Sequence, residues 1–226
     1  MEALSVAITE RAERVEQVAG GSALRCRVLD VLVSALLLVL LLPLLLLIAL
    51  AIRIDSRGWP VYRQRRLGHR CRPFVVNKFR TMAADARHDT HREFVLALIS
   101  GERGATEQGV FKLTEDDRVT RVGRFLRKSS LDELPQLWNV LRGDMSLVGP
   151  RPPIPYEVER YPEHWFGRFA VKPGITGLWQ VNGRSELTLE EMIALDLEYV
   201  RRRSLRLNIE ILLRTVPAVL LGRGAA

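Results

Sequence analysis

The chain's 226 residues leave room for one compact domain and a modest extra element, not for two large domains. Hydrophobic residues at 47% and charged residues at 27% exclude a wholly disordered chain. Thirty-four Lys and Arg against 26 Asp and Glu leave a net charge of +8, which suits an anionic partner such as nucleic acid, a phospholipid face or a phosphorylated substrate. Cys26 and Cys71 form no CxxC pair, so a disulfide scaffold and a four-cysteine zinc site are both disfavoured, and a reducing cytoplasmic setting fits.

In chain order, residues 3–18 have the pattern of a short amphipathic helix that Gly20-Gly21 ends. Residues 31–52 then form a leucine-rich apolar run of about 22 residues, long enough for a bilayer-spanning helix and without the polar face of a soluble core helix. A cleavable signal peptide fits poorly, because Glu10, Glu13 and Glu16 precede the run and no small-residue cleavage site follows it. The run is a membrane element. Arg25 and Arg27 flank one end and Arg53 and Arg57 the other, so a single crossing leaves one basic cluster on the disfavoured face. Pro43 removes a backbone hydrogen bond near the middle, which allows a break with return to the same face; a tilted, kinked span is the alternative.

After Pro60 the pattern predicts two strands, at Val61-Tyr62 and Phe74-Val75-Val76, joined by a basic turn around Gly68-His69-Arg70. Alternation puts Lys78 and Arg80 on one side at the end of the second strand. Residues 83–99 read as a helix, 101–109 as a polar loop and 119–126 as a helix with arginines at 118, 121, 124 and 127. Leu131, Leu134, Trp138 and Leu141 share helical spacing, predicting a helix from about Ser130 with Asp132 and Glu133 in its first turn. Residues 149–153 form a stiff proline turn around Arg151, residues 174–184 a glycine loop, and Thr188 with Glu191 a capping box for a helix through Val200. A last apolar helix starts at Ser204 and is interrupted by Pro217.

Asp132 and Glu133 carry two readings. As structure, Ser130-x-x-Glu133 is a capping box, and carboxylates suit a helix N-terminus; with Asp132 as the cap, Pro135 fits more comfortably. As chemistry, an ionised Asp132 can attack phosphorus, two carboxylates beside phosphates can hold Mg²⁺, and Arg121, Arg124, Arg127 and Lys128 can gather phosphates. The four histidines make no metal spacing, and no phosphate loop, dinucleotide fingerprint or nucleophile elbow occurs.

In order along the chain stand Asp55-Ser56-x-Gly58, Pro60-Val61-Tyr62-x-Gln64-x-Arg66-x-Gly68, Lys78-Phe79-Arg80-Thr81-Met82, and Arg127 through Gln136. Asn139-Val140-Leu141-x-Gly143-Asp144-Met145-Ser146-Leu147-Val148-Gly149-Pro150-Arg151-Pro152 and Lys172-Pro173-Gly174-Ile175-Thr176-Gly177-Leu178-Trp179-Gln180-Val181-x-Gly183-Arg184 follow. Together, from Arg25 to Leu220, they closely resemble the bacterial sugar transferases, the monotopic phosphoglycosyl transferases.

The resemblance implies transfer of a sugar-1-phosphate from a UDP-sugar to polyprenyl, usually undecaprenyl, phosphate, releasing UMP and starting assembly of a lipid-linked bacterial glycan such as an exopolysaccharide. It implies Asp132 as the nucleophile that carries the phosphosugar, and Glu133 as its partner in Mg²⁺ binding or deprotonation of the lipid phosphate. Lys78, Arg80, Arg127, Arg151 and Arg184 are implied as substrate-binding residues. The implied fold is α/β, a helix-dominated α+β arrangement with a small β-hairpin and interfacial amphipathic helices. Its parts are residues 1–24 as an extension, 25–54 as a re-entrant membrane helix broken near Pro43, and 55–226 as a catalytic domain on the cytoplasmic face of the bacterial inner membrane. Implied partners are anionic phospholipid and downstream glycosyltransferases, with a homodimer left open and no nucleic acid. Gly177-Leu178-Trp179-Gln180 is more like members acting on hexoses than on acetamido sugars. The chain departs from the family pattern at Leu42, commonly serine, at Trp59, which looks inserted, and at Asn208, usually acidic. It looks like the minimal form, without the additional N-terminal membrane helices of longer members.

Overall fold

The computed structural model describes residues 23–83, 118–159, 161–183 and 187–220. The predicted helices over 3–18 and 83–99, the loop over 101–109 and Arg184 fall wholly or almost wholly outside them.

The apolar run folds as two helices, α1 (Ala23–Leu40) and α2 (Leu42–Asp55), bent by 63°. The break falls at Leu41 with Pro43 in the first turn of α2. Proline has no N–H for the carbonyl four residues back, and its ring crowds that carbonyl, so the helix yields just ahead of it. Among the described residues, no single helix is long and apolar enough to cross a membrane.

The sequence shows no polar face within the run, but α1 is two-sided. Leu24, Val28, Leu32, Leu36 and Leu40 recur every fourth residue and are exposed, while Cys26, Asp30 and Ser34 are buried. Arg27 donates to the carbonyls of Val140 (2.6 Å) and Leu141 (2.8 Å), and Asp30 accepts from the Ser146 hydroxyl (3.0 Å) and the Leu147 N–H (2.9 Å). The polar start of α1 is therefore bound to the rest of the protein, and Leu42, Leu44, Leu46, Leu47, Leu50 and Ile54 extend the exposed apolar surface along α2.

Strands β1 (Val61–Leu67) and β2 (Pro73–Phe79) form the predicted hairpin, with Val61 opposite Phe79 and Leu67 opposite Pro73. Its turn is a 3-10 segment, His69–Cys71, in which Arg70 and Cys71 take positive φ. Helix α3 (Arg121–Ser129) starts two residues later than the sequence suggests, because the Thr120 hydroxyl caps it by accepting from the Gly123 N–H (3.0 Å) while Val119 pairs with Met82. Gly123 is needed for close packing: a Cβ there would stand 2.1 Å from the Thr81 carbonyl oxygen.

A 3-10 turn (Leu131–Glu133) leads into α4 (Gln136–Arg142). Then come β3 (Ser146–Val148), the short α5 (Pro155–Val158), a 3-10 helix (Glu163–Ala170), β4 (Gly174–Thr176) and α6 (Leu178–Asn182). The predicted glycine loop is in fact β4 and α6, with β4 parallel to β3 and Gly174 packed so tightly on Gly149 that a Cβ would lie 2.1 Å from the Gly149 nitrogen. Helix α7 (Leu189–Arg202) has the predicted Thr188–Glu191 capping box, and α8 (Leu205–Leu220) continues past Pro217 instead of stopping.

The main core gathers Val76, Leu137, Val140, Met145, Leu147, Val148, Tyr199, Val200, Leu207 and Ile211 around the β3–β4 pair. A second cluster joins Ile48 and Ile52 of α2 to Phe79 and Leu126, with Leu131 and Leu134 against it. The fold is helix-dominated α/β, with two two-stranded sheets among the described residues.

Candidate active site

The acidic turn is not a helix cap. Ser130 sits in the left-handed region (φ 55°) and closes the helix before it, its N–H reaching the Arg127 carbonyl at 3.2 Å. Its side chain caps nothing in the Leu131–Glu133 turn, and α4 begins only after Pro135. One residue cannot end α3 in αL geometry and also start a helix in the extended geometry of an N-cap. The expected buried stripe changes too: Trp138 is 52% exposed, while Gln136, Leu137, Asn139 and Val140 are buried. Leu131 and Leu134 pack into the core on either side of the carboxylates, and Asp132 and Glu133 stay half-buried between them.

The Lys78–Met82 segment distributes its side chains. Lys78 donates to Glu133 Oε1 at 2.8 Å. Phe79 enters the core beside α2, and Arg80 donates to the Ser56 carbonyl (2.8 Å) and hydroxyl (2.9 Å) at the end of α2. Thr81 accepts from Arg127 Nε at 2.9 Å. Strand β2 ends at Phe79, so the alternation that predicted a common side for Lys78 and Arg80 does not extend to Arg80. Arg80 is thus held at the end of α2 and Arg127 along α3.

Lys78 is brought to Glu133 by a residue the sequence reading did not single out. Asn139 of α4, 1% exposed, accepts from the backbone N–H and side-chain amide of Asn77 (both 3.0 Å) and donates to the Val75 carbonyl (2.7 Å). It mimics a neighbouring strand and sets the register of β2 against the acidic turn. The segment Asn139–Pro152 opens on this residue, but nothing local marks a mid-helix asparagine as a strand partner.

Beside this pair lies an open cleft lined by Lys78 and Glu133 with Arg66, Val76, Gln136, Arg151, Pro152, Gly174, Ile175 and Gln180. Of the predicted site residues, the cleft brings together Lys78, Glu133 and Arg151, with Asp132 next to Glu133 in the same turn. Arg66, Gln136 and Gln180 are additions. Alternation along β1 puts Arg66 on the face of the hairpin that carries Val76 and Lys78, a signal present in Gln64-x-Arg66. Arg66 donates to the Pro152 carbonyl (2.9 Å) and to Gln64. Burial, then the neighbouring Arg151 charge, pushes its pKa down to about 10. An anion in the cleft would relieve that crowding of positive charge.

The bacterial sugar transferase family model matches residues 22–222. The chain belongs to this family. Galactosyl transferase CpsE of Streptococcus agalactiae is 43% identical over 79% of this chain and 38% of its own length. Exopolysaccharide production protein ExoY of Sinorhizobium fredii is 41% identical over 88% of this chain and 87% of its own length. The UDP-glucose:undecaprenyl-phosphate glucose-1-phosphate transferase of Caulobacter vibrioides is 46% identical over 87% and 70%. The chain thus spans about two fifths of the streptococcal protein, and most of the Sinorhizobium one.

Two of the chain's departures from the family pattern have a structural account. Asn208 is 1% exposed, with its side-chain oxygen 2.9 Å from the Tyr199 hydroxyl, which also reaches the Val148 carbonyl at 2.9 Å. A neutral amide keeps that contact without a buried charge. Leu42 opens α2 exposed, and Leu41 at the N-cap offers no side-chain bond, so backbone and proline sterics alone shape the break. Trp59, 68% exposed between α2 and β1, has no such account beyond its exposure.

Proposed function

We propose that this sugar transferase moves a hexose-1-phosphate from a UDP-hexose to undecaprenyl phosphate through a covalent aspartyl-phosphosugar. The observation that carries the reading is the Lys78–Glu133 pair, 2.8 Å apart, in a cleft also lined by Arg66 and Arg151 and directly adjoining Asp132. A carboxylate beside several cations suits attack on a phosphate diester. The names of the Caulobacter and streptococcal relatives, a glucose-1-phosphate transferase and a galactosyl transferase, support a hexose donor.

In the first step an Asp132 oxygen bonds to the sugar-bearing phosphorus as the bond from that phosphorus to the UMP oxygen breaks, and UMP leaves with the electron pair. In the second, an oxygen of undecaprenyl phosphate bonds to the same phosphorus, the aspartyl P–O bond breaks, and undecaprenyl-diphosphate-hexose departs with Asp132 regenerated. Arg66, Lys78 and Arg151 hold phosphate oxygens, and Glu133, now shared with Lys78, takes the proton of the incoming lipid phosphate. The hard carboxylate oxygens of Asp132 and Glu133 fit Mg²⁺, which binds through one or two carboxylates plus substrate phosphates and offsets phosphate charge when present. Arg80, Arg127 and Arg184 remain proposed phosphate contacts of the bound state.

The same reading puts α1 and α2 into one leaflet and the catalytic body on the cytoplasmic face. Each apolar leg holds roughly ten residues, about 15 Å of helix, half of a hydrocarbon core of about 30 Å. Both ends bind the same body: Arg27 and Asp30 at one end, and at the other Asp55, which accepts from the Val122 N–H (3.1 Å), and Ser56. A straight crossing would require one of those ends to leave it.

The test is UMP release by protein in lipid nanodiscs, with undecaprenyl phosphate, Mg²⁺ and a panel of UDP-sugars, beside labelling of the protein by a donor radiolabelled in the sugar. Hexose-dependent UMP release and label retained on the protein in the absence of acceptor are expected. UMP release without label on the protein would remove the covalent step, and no release from any UDP-hexose would remove the reading.

A further inference from the structure

The segment 149–154 holds Pro150, Pro152 and Pro153, none of which has an N–H, so it is secured mainly through its carbonyls. Four successive ones are taken. The Pro150 carbonyl accepts from the Gly174 N–H (2.9 Å), that of Pro152 from Arg66 (2.9 Å) and that of Pro153 from the Leu67 N–H (3.0 Å). The Arg151 carbonyl accepts from Arg168 Nη2 at 2.8 Å.

That guanidinium lies inside the protein. Arg168 is 5% exposed, its Nη2 also donates to Asp196 Oδ2 at 2.5 Å, and its Nη1 donates to the Tyr161 hydroxyl at 3.2 Å. Asp196, on α7, is fully buried. A buried ion pair is an expensive way to fill space, since apolar side chains of similar volume stabilise at least as well. What apolar side chains cannot do is hold a carbonyl. The carbonyl held here belongs to the one non-proline residue of the turn between Pro150 and Ile154, whose own side chain is exposed and lines the cleft.

Resting on the phosphosugar-transfer reading, we propose that Arg168, anchored by Asp196, is a positioning residue. It fixes the main chain of Arg151 so that the Arg151 guanidinium meets the donor's diphosphate at a set place. The planar fork matters: Nη2 bridges carboxylate and carbonyl while Nη1 holds the Tyr161 hydroxyl, a two-nitrogen arrangement that a lysine ammonium on a flexible stem does not reproduce. Arg168 touches no substrate, so its effect passes entirely through Arg151.

The experiment is a double-mutant cycle of Arg168→Lys and Arg151→Ala on the full chain in nanodiscs, read first as UDP binding by calorimetry and then as KM and kcat for UMP release. Arg168→Lys alone is expected to weaken UDP binding and raise the donor KM about tenfold, with kcat changed less. In the Arg151→Ala background the same change should cost less than about twofold. An undiminished tenfold loss in that background, or no loss from Arg168→Lys alone, overturns the proposal. If Arg168→Lys gives no cooperative melt, Tyr161→Phe, which removes only the hydroxyl on Nη1, carries the same cycle by the same criterion. Coupled UDP binding without UMP release from any donor would uphold the positioning role and remove the transfer reading. A wild-type protein that binds no UDP removes both.

Discussion

Two turns deliver charge to the cleft, and they are held in opposite ways. The acidic turn, Leu131–Glu133, is pinned by side chains: Leu131 and Leu134 enter the apolar core shared with α2, and the carboxylates between them stay half-buried. The basic turn around Arg151 is pinned by its backbone, four carbonyls each bonded to a different donor. The acidic turn sits against the apolar helix α2, where leucines have something to bury against. The proline turn is itself buried at Pro150, Pro152, Pro153 and Ile154, and what fixes its carbonyls is the buried Arg66 and Arg168 together with strand N–H groups. The difference teaches that a rigid site can be built from burial or from hydrogen bonds, and that each fails to a different substitution.

The largest expected effect removes the chemistry and leaves both anchors in place. Asp132→Asn should lower UMP release at least about 1000-fold, while the thermal midpoint in nanodiscs moves little. Asn139→Ala, which frees two donors at Asn77 and the Val75 carbonyl, should destabilise by about 2–4 kcal/mol in denaturant titration and loosen Lys78 from Glu133. Leu131→Ala should cost about 1–3 kcal/mol, acting on the acidic turn alone. Pro152→Ala should cost no more than about 1 kcal/mol, because the unfolded chain gains freedom while the carbonyl contacts persist. A Pro152→Ala loss larger than that of Leu131→Ala would reverse the contrast between the two anchors.

The smallest effect is a pH slope. Burial raises the Asp196 carboxyl from 3.8 to about 6 against the attraction of Arg168. Between those values the folded protein holds more of the proton than the unfolded chain, so stability should fall as pH rises from about 4 to 6 and level off above. Thermal midpoints of wild type and Asp196→Asn across that range test it: their difference should shift against the wild type as pH rises. A shift in the other direction would mean that the ion pair outweighs its desolvation.

Much of the architecture was legible because its causes are local. Pro43 breaks the apolar run through its own ring and missing N–H, the hairpin follows from alternation around a glycine turn, and Thr188–Glu191 caps α7 through atoms three residues apart. The acidic turn misled for a local reason as well. Ser130-x-x-Glu133 satisfies the capping pattern, but Ser130 was already committed to closing α3. The apolar spacing of α4 misled because that helix turns Trp138 outward and buries Asn139, the reverse of a soluble helix in water.

By itself the sequence determined the break in the apolar run, the antiparallel strands and the two carboxylates, together with the family resemblance that the family model bears out. Only the tertiary structure decided which charges share the cleft. Lys78 meets Glu133 across 55 residues, Arg66 meets Pro152 across 86, and Arg168 reaches Asp196 across 28 and Arg151 across 17. Side-chain periodicity fixes a face but not the partner opposite it. The parallel β3–β4 pair, joined through everything between Val148 and Gly174, has no local signature. Those partners are chosen when separate elements pack, where the cost of burying a charge or an amide is met by whichever group the fold brings near.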